Sequence, residues 1–451
     1  MMQTRNSKFL SYLIIIIYIF PFFYNYLNLL PIQAKWMFDI SILIFFVNNI
    51  LGKKKYRFQH TKPFNYLFFF SLSLSIIYLL SSIINESNVL LTILSIEKIF
   101  QAFLLYIIIY SFLSLDSDNS IYKVDKYFDR VIKIQVILIP IEYILYTFYK
   151  NFSDILIKNV TFNPYDIASG TFGNGSTGAV GVFCVCYFIY AYVHLKKKYS
   201  YIFLIPLLFI FSGGAIILLV IALFLIFLTS ANKLVKQTIP IVLGTLTLVS
   251  VGYMASGYIF QKEFLTNSLV NVNDTLNDYI DSITNQNGYN EWEITKQGRL
   301  DRIRGFYYVN QVLNSKNQIF YGMGSSVGSS SQTLNITKSN KEQITEVNNE
   351  TLFYFLQAGL SGALCFLFLN LLLIIYFFKR IFKDDLYKTG FIISVVIFIS
   401  SFYIRPFQNP AVLTFFIYIY VLINILENNR RVYTNNGFKK QKMELYNNRT
   451  N

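Results

Sequence analysis

Arg299, Arg302 and Arg304 fall within six positions of the stretch GRLDRIRGFYYVNQVLNSKNQIFYGMGSSV (298–327), in a chain that is otherwise mostly apolar. A guanidinium carries a permanent charge and a planar fork of donors, so such a cluster fits bidentate contacts to diphosphate oxygens that lysine does not reproduce. Helical spacing runs through the stretch: Leu300, Ile303 and Tyr307 form one apolar stripe, and Phe306, Val309 and Leu313 another. We expect an amphipathic helix lying against the membrane or the mouth of a helix bundle and ending near Asn314. On such a helix Arg299 and Arg302 share a face, while Arg304 lies roughly opposite Arg302. All three meet one ligand only if the helix starts after Arg302. Two readings stand at this point. In one, Asp301 pairs with Arg304 at i,i+3 and the other arginines touch lipid phosphates. In the other, the cluster grips a diphosphate.

Other residue types that do chemistry are sparse. Cys184, Cys186 and Cys365 all lie in apolar runs without metal-ligand spacing, so neither a disulfide framework nor a zinc site is expected. No carboxylate cluster typical of a metal site is visible, and no metal or other cofactor is expected. Glu142 sits beside Pro140 inside an apolar run. An acid there is either functional or hydrogen-bonded to the helix end that the proline frees. Glu97 and Lys98 either pair with each other or mark a later start of their span.

The elements that must position these residues are membrane helices. The 451 residues are 54% hydrophobic and only 14% charged, too apolar for a soluble protein with one core. Runs long enough for a hydrocarbon core occur at 9–30, 33–51, 63–83, 91–115, 131–149, 177–195, 237–258, 351–378, 389–404 and 411–426. The first of these reads as a retained span rather than a signal peptide. The stretch 199–230 is too long for one untilted span and is broken at Ser212, Gly213 and Gly214, which suits a hairpin of two short helices.

Most of the 39 lysines and arginines fall on alternate connections, which places the N-terminus inside. Lys196–Lys198 and Lys233/Lys236 then both lie inside, and only an even number of crossings between them permits that. The expected fold is an all-α polytopic membrane protein of about twelve transmembrane helices with both termini cytoplasmic. Spans one to nine occupy 1–258, one large extracytoplasmic loop 259–350, spans ten to twelve 351–426, and a basic tail 427–451. The net charge of +15 is then largely topology and implies no nucleic-acid partner.

Three blocks, ordered along the chain, share the outer face in this topology. They are ASGTFGNGSTGAVGVFCV (168–185), the arginine stretch, and EVNNETLFYFLQAGLSGALCFLFL (346–369). Together they resemble the polytopic O-antigen and capsular polysaccharide polymerase and ligase superfamily. In that family an arginine-bearing outer helix runs into a glycine turn, here Ile319 to Gly324. An acidic or histidine residue with an asparagine then precedes a span carrying Gly-x-x-Gly, here Gly359 to Gly362. A G-x-F-x-N element, here Gly170, Phe172 and Asn174, precedes a middle span.

The resemblance implies transfer of a glycan from an undecaprenyl-diphosphate carrier to another lipid-linked repeat unit, at the outer face of a bacterial plasma membrane. Such a reaction needs positive charge on the leaving diphosphate and help in removing a hydroxyl proton. On the matching positions, Arg302 and Arg304 would hold the diphosphate, with Arg299 next. Arg405 would either contribute from the bundle or anchor the interface. Glu346 and Glu350 are the candidate bases, and Asn348, Asn349, Asn174, Gly322 and Gly324 would line the substrate. The implied partners are the lipid-linked glycan, the bilayer, a chain-length regulator and a flippase.

Two positions depart from the pattern. Ser212–Gly213 stands where the family often has Ser-Arg, and Asn348 where a ligase has its histidine. His60 and His194 both map to the inner side, so a polymerase is favoured over a ligase. A flippase for the same lipid-linked glycan shares the span count and the basic residues. A single large loop and the lack of an internal repeat argue against it.

Overall fold

The computed structural model describes residues 17–18, 39–40, 42, 62–87, 89–114, 117–148, 170–172, 177–210, 213–229, 299–300, 302–325, 346–347 and 349–435. The expected spans at 9–30 and 33–51 lie almost wholly outside these residues, and the span at 237–258 entirely so. Asn174 and Asn348 also lie outside them.

The described chain is predominantly helical. Its helices are α1 (Lys62–Ile84), α2 (Val89–Leu113), α3 (Ser117–Phe148), α4 (Thr177–Ile189), α5 (Ile205–Ile210), α6 (Gly213–Thr229), α7 (Arg302–Ser315), α8 (Glu350–Phe378), α9 (Asp385–Ser400) and α10 (Pro410–Asn435). Five are long and apolar enough to cross a membrane: α1, α2, α4 with its continuation to His194, α8, and α10 as far as Glu427. Two two-residue strands, β1 (Arg299–Leu300) and β2 (Glu346–Val347), pair in parallel.

Most helices sit where the hydropathy puts them, and the differences have physical causes. The apolar run at 131–149 is only the second half of α3, which starts at Ser117. Its first half mixes the buried Val124 and Phe128 with the charged Lys123, Asp125, Lys126, Asp129 and Arg130, so it does not read as an apolar run. Asp125 accepts from the Tyr190 and Tyr418 hydroxyls at 2.7 and 2.6 Å. The span expected at 389–404 begins at Asp385, capped by Asp384, and ends at Ser400. Arg405 therefore belongs to the following turn. The 199–230 stretch does form two short apolar helical segments, Ser200–Ile210 and Gly214–Thr229. At the start of α6 a Cβ on Gly214 would lie 2.7 Å from the Tyr403 ring, so only glycine admits that ring.

α4 and α10 are buried on nearly every face and form the centre of the bundle, where Phe183, Tyr187, Phe415, Tyr418 and Phe128 interlock. α1 and α8 pack against each other and turn the stripes Phe69, Ile76, Leu80, Ile83 and Leu364, Phe368, Leu371, Ile375 outward. Apolar stripes of this length on an outer surface suit lipid rather than water. At one end of the bundle the basic residues collect and are paired: Lys133 and Lys197 with Asp129 at 2.7 and 2.5 Å, Lys196 with Asp385 at 3.1 Å, and Arg380 with Glu427 at 3.6 Å. The start of α8 lies at the opposite end.

α8 is not one continuous helix. Gly359, with φ +68° and ψ −163°, breaks it nine residues in, about 14 Å from its start at 1.5 Å per residue. The turn 319–324 fills the break. Met323 and Gly324 N–H donate to the Leu356 and Gln357 carbonyls at 2.9 and 3.0 Å, and Leu360 N–H donates to Ile319 O at 2.7 Å. Ser361 reaches Phe320 O through its N–H at 3.4 Å and its hydroxyl at 2.6 Å. A Cβ on Gly359 would meet Phe320 C at 2.5 Å, and one on Gly322 would meet Gly359 N at 2.4 Å. The two backbones are thus in contact at a place where neither tolerates a side chain.

Gly359→Ala forces an alanine into a glycine-only conformation against a backbone. We expect a cost of roughly 3 kcal/mol or more, against about 1 kcal/mol for Ser361→Ala, which removes one hydroxyl bond. Thermal unfolding in detergent measures both, and equal costs would refute the role given to the break. Asp129, on the polar half of α3, provides a pH test. Burial alone would raise its carboxyl, but the hydrogen bonds and charges of Lys133 and Lys197 outweigh burial and hold it below the ordinary value. A lowered carboxyl stabilises the fold above that value and stops doing so as pH falls through it. Asp129→Asn should therefore lower the melting temperature at pH 7 and have a smaller effect near pH 3.

Candidate functional site

The arginine stretch folds into α7, and both ends of α7 are tied to α8. Ahead of it, β1 lies beside β2, with Arg299 in register with Glu346 and Leu300 with Val347. Beyond it, the chain turns through Asn317 at φ +55° and enters the break in α8. Between these anchors Val309 and Leu313 are fully buried, and the Phe306 ring stacks on Phe355 at 6.3 Å. The apolar stripe read from the sequence therefore packs on the mouth of the bundle. The shared helical face expected for Arg299 and Arg302 is not formed, because strand pairing takes Arg299 out of the helix. Arg302 and Arg304 belong to the first turn of α7.

The first turn of α8 leaves no backbone donor open. Asn349 is buried, and its Oδ1 caps the helix by accepting from Leu352 N–H at 2.6 Å. Glu350 N–H donates to Ser401 O and Ile404 O at 2.9 and 3.1 Å, Thr351 N–H to Ser401 O at 3.2 Å, and Phe353 N–H to Asn349 O at 3.1 Å. A helix N-terminus commonly attracts anions through these groups. Here they are spent on Asn349 and on the turn between α9 and α10, so attraction for an anion rests on side chains. For Asn349, expected to line the substrate, the structure shows this capping role.

Glu350 is 0% exposed. Its Oε1 accepts from the Tyr354 hydroxyl at 3.1 Å and its Oε2 from Phe407 N–H at 2.8 Å. A carboxylate enclosed in this way cannot reach a substrate hydroxyl, which corrects the expectation that Glu350 serves as a base. Arg405, in the turn after α9, is half-buried. Its guanidinium carbon lies 5.4 Å from the centre of the Phe353 ring, Nη1 lies 3.2 Å from Gln408 Oε1, and its charge is felt by Glu350.

Gly322 and Gly324 also change role. Both are buried with positive φ, +71° and +84°, and both serve the contact between the turn and α8. Asn85, just past α1, locks that turn from the far side: its Nδ2 donates to Gly322 O at 2.9 Å, and its Oδ1 accepts from Gln318 at 2.5 Å. Ser325 is held between Ser82 and Thr92 at 3.2 and 2.9 Å. Elsewhere, Glu142 accepts from Gly170 N–H at 2.8 Å and Gln135 Oε1 from Thr171 N–H at 3.1 Å. Of the two roles open to Glu142, this bond supports the structural one, with the turn before α4 as its partner. Glu97 bonds to Gln101 at 3.1 Å.

One end of the bundle thus brings together the backbone of Arg299, Arg302 and Arg304, the backbone of Glu346, and the side chains of Arg405 and Gln408. Sequence reading missed Tyr354, although its i,i+4 spacing from Glu350 is a visible signal. It also missed Gln408 and Asn85, whose roles depend on elements far away in the chain. No protein-family model matches the chain, and no curated protein matches it.

Removing the Glu350 carboxylate leaves the Phe407 N–H and the Tyr354 hydroxyl buried without their acceptor. Glu350→Ala should cost about 2–4 kcal/mol, the penalty for two such groups. Melting curves of purified protein measure it, and a cost under about 0.5 kcal/mol would show that the carboxylate holds nothing in place.

Proposed function

We propose that this chain is a polysaccharide polymerase of the O-antigen or capsule type. It would join undecaprenyl-diphosphate-linked repeat units at the outer face of a bacterial plasma membrane, within a twelve-span topology whose termini are cytoplasmic. The observation that carries this reading is the double anchoring of α7, which fixes its arginine-bearing first turn beside the start of α8 and the Arg405 turn. Arginines on a helix turn whose backbone is fixed in this way suit a diphosphate, which presents several oxygens to planar forks.

In the proposed reaction a hydroxyl oxygen at the non-reducing end of one lipid-linked unit attacks the anomeric carbon of the glycan on a second carrier. The bond from that carbon to the diphosphate oxygen breaks, and the diphosphate lipid leaves with the electron pair. Arg302 and Arg304, joined by Arg299 and by Arg405 from the bundle side, stabilise the charge that develops there. Glu346, in register with Arg299, takes the hydroxyl proton. Glu350 has no part in that transfer.

The reading is tested by deleting the gene in its host and resolving the surface polysaccharide on a gel. We expect loss of long chains with single repeat units retained, restored by the wild type but not by Arg302→Ala/Arg304→Ala. Lipid-linked units that stay on the inner leaflet, with no surface glycan, would identify a flippase instead. Arg302→Lys should lose nearly as much activity as Arg302→Ala, on the order of tenfold or more for one lost bidentate contact. A fully active lysine variant would remove Arg302 from the site.

A further inference from the structure

A cavity of about 530 Å³ lies at the basic end of the bundle, where α6 ends and the chain turns from α8 into α9. That volume falls among those of small-molecule sites, about 300–1,000 Å³. Its lining is of two kinds. Lys383, Lys388, Asp384 and Asp385 are charged, while Leu228 and Phe382 are apolar.

The charged part is not balanced. Asp384 caps α9, where its Oδ1 accepts from Leu386 N–H at 2.9 Å. Asp385 gives one carboxylate oxygen to Lys196 at 3.1 Å, and its other oxygen lies 3.8 Å from the Lys388 ammonium, beyond hydrogen-bond reach. The Lys388 side chain is nevertheless only 12% exposed. An ammonium taken out of water needs close acceptors, and this one shares a distant carboxylate with a second lysine. Lys383 adds a further, exposed cation. Lys196, Lys383 and Lys388 thus outnumber Asp384 and Asp385, which leaves a positive excess.

The apolar part faces outward. Leu228 and Phe382 are 59% and 89% exposed, so the cavity borders the outer surface of the bundle. Leu228 continues the row Ile217, Val220 and Phe224 along α6, all of them exposed and at helical spacing. Such a row suits acyl chains rather than water, and lysines at its end sit at the depth of lipid headgroups. We propose that the cavity binds the headgroup of an anionic phospholipid, with its phosphate against Lys383 and Lys388 and its acyl chains along the outer row of α6 beside Phe382. A soluble anion gains nothing from that row, so the observations favour a lipid. A lipid bound there bridges the end of α6 and the turn between α8 and α9. The site is separate from the arginine helix and does not depend on the polymerase reading.

The test places the full chain in phosphatidylcholine nanodiscs with graded phosphatidylglycerol and counts the phosphatidylglycerol retained on the released protein by native mass spectrometry. The wild type should retain it in preference to phosphatidylcholine. Lys383→Gln/Lys388→Gln should weaken that retention by about fivefold for each lysine. Lys123→Gln/Lys126→Gln, which removes two exposed lysines of α3 outside the cavity, should leave it unchanged. If the double variant in the cavity does not fold, Lys383→Gln alone, on an exposed side chain, serves in its place with about a fivefold loss. Equal losses in the two lysine pairs would show diffuse attraction to a basic surface and overturn the proposal. So would a wild type that retains no phosphatidylglycerol, or one from which inorganic phosphate displaces it.

Discussion

The break in α8 is the constraint around which one end of the bundle is arranged. Inside a bilayer, a helix that stops and restarts exposes carbonyls at one cut end and N–H groups at the other, with no water to satisfy them. Here the carbonyls of Leu356 and Gln357 and the N–H groups of Leu360 and Ser361 all find partners in the segment 319–324. The Gln357 carbonyl also accepts from the Ser81 hydroxyl at 2.9 Å. That satisfaction is only possible because a loop segment comes down to meet the helix. Its descent, in turn, fixes the end of α7, which carries the arginines at its other end. The placement of the arginine-bearing turn is therefore tied to a hydrogen-bond requirement at the break in α8.

The two ends of the bundle use charge in different ways. At the basic end, lysines and acids pair across helices, and Asp129, Asp385 and Glu427 each join separate elements. At the other end, Glu350 is buried and accepts from neutral donors, the Tyr354 hydroxyl and Phe407 N–H. The first arrangement ties helices together; the second surrounds a single buried acid. The inner tyrosines reinforce the contrast, since Tyr187, Tyr190 and Tyr418 direct their hydroxyls to Asp125 and Asp129 at the basic end.

How much of this was legible depends on the range of the interaction. The strongly apolar helices, α1, α2, α4, α8 and α10, are written in hydropathy alone, and so are the two short apolar segments within 199–230 and the apolar stripe of α7. The first half of α3 was not legible, because its buried face carries aspartates whose partners lie on α4 and α10. The glycine turn at 322–324 could be recognised as a turn, but its partner Gly359 belongs to a span that reads as continuous. Glu350 was legible as an acid near a membrane surface. Its enclosure depends on Phe407 N–H, a backbone group with no signature in the sequence. Arg299 was placed on the wrong element because a two-residue strand pair leaves no periodicity to read.

Anchoring on both sides of α7 also separates what can vary from what cannot. The chain between Ser325 and Glu346 joins two points that are each fixed independently, one in the polar cluster of Ser82 and Thr92, the other by pairing with β1. Lengthening a connection between fixed points costs little, about 0.6 kcal/mol for each doubling. This connection can accept inserted residues while both anchored ends keep their register. Residues 319–324 cannot, because one added residue would put the wrong carbonyls opposite Leu360 and Ser361. Change in chain length is thereby channelled into one connection, next to a framework whose spacing is held constant.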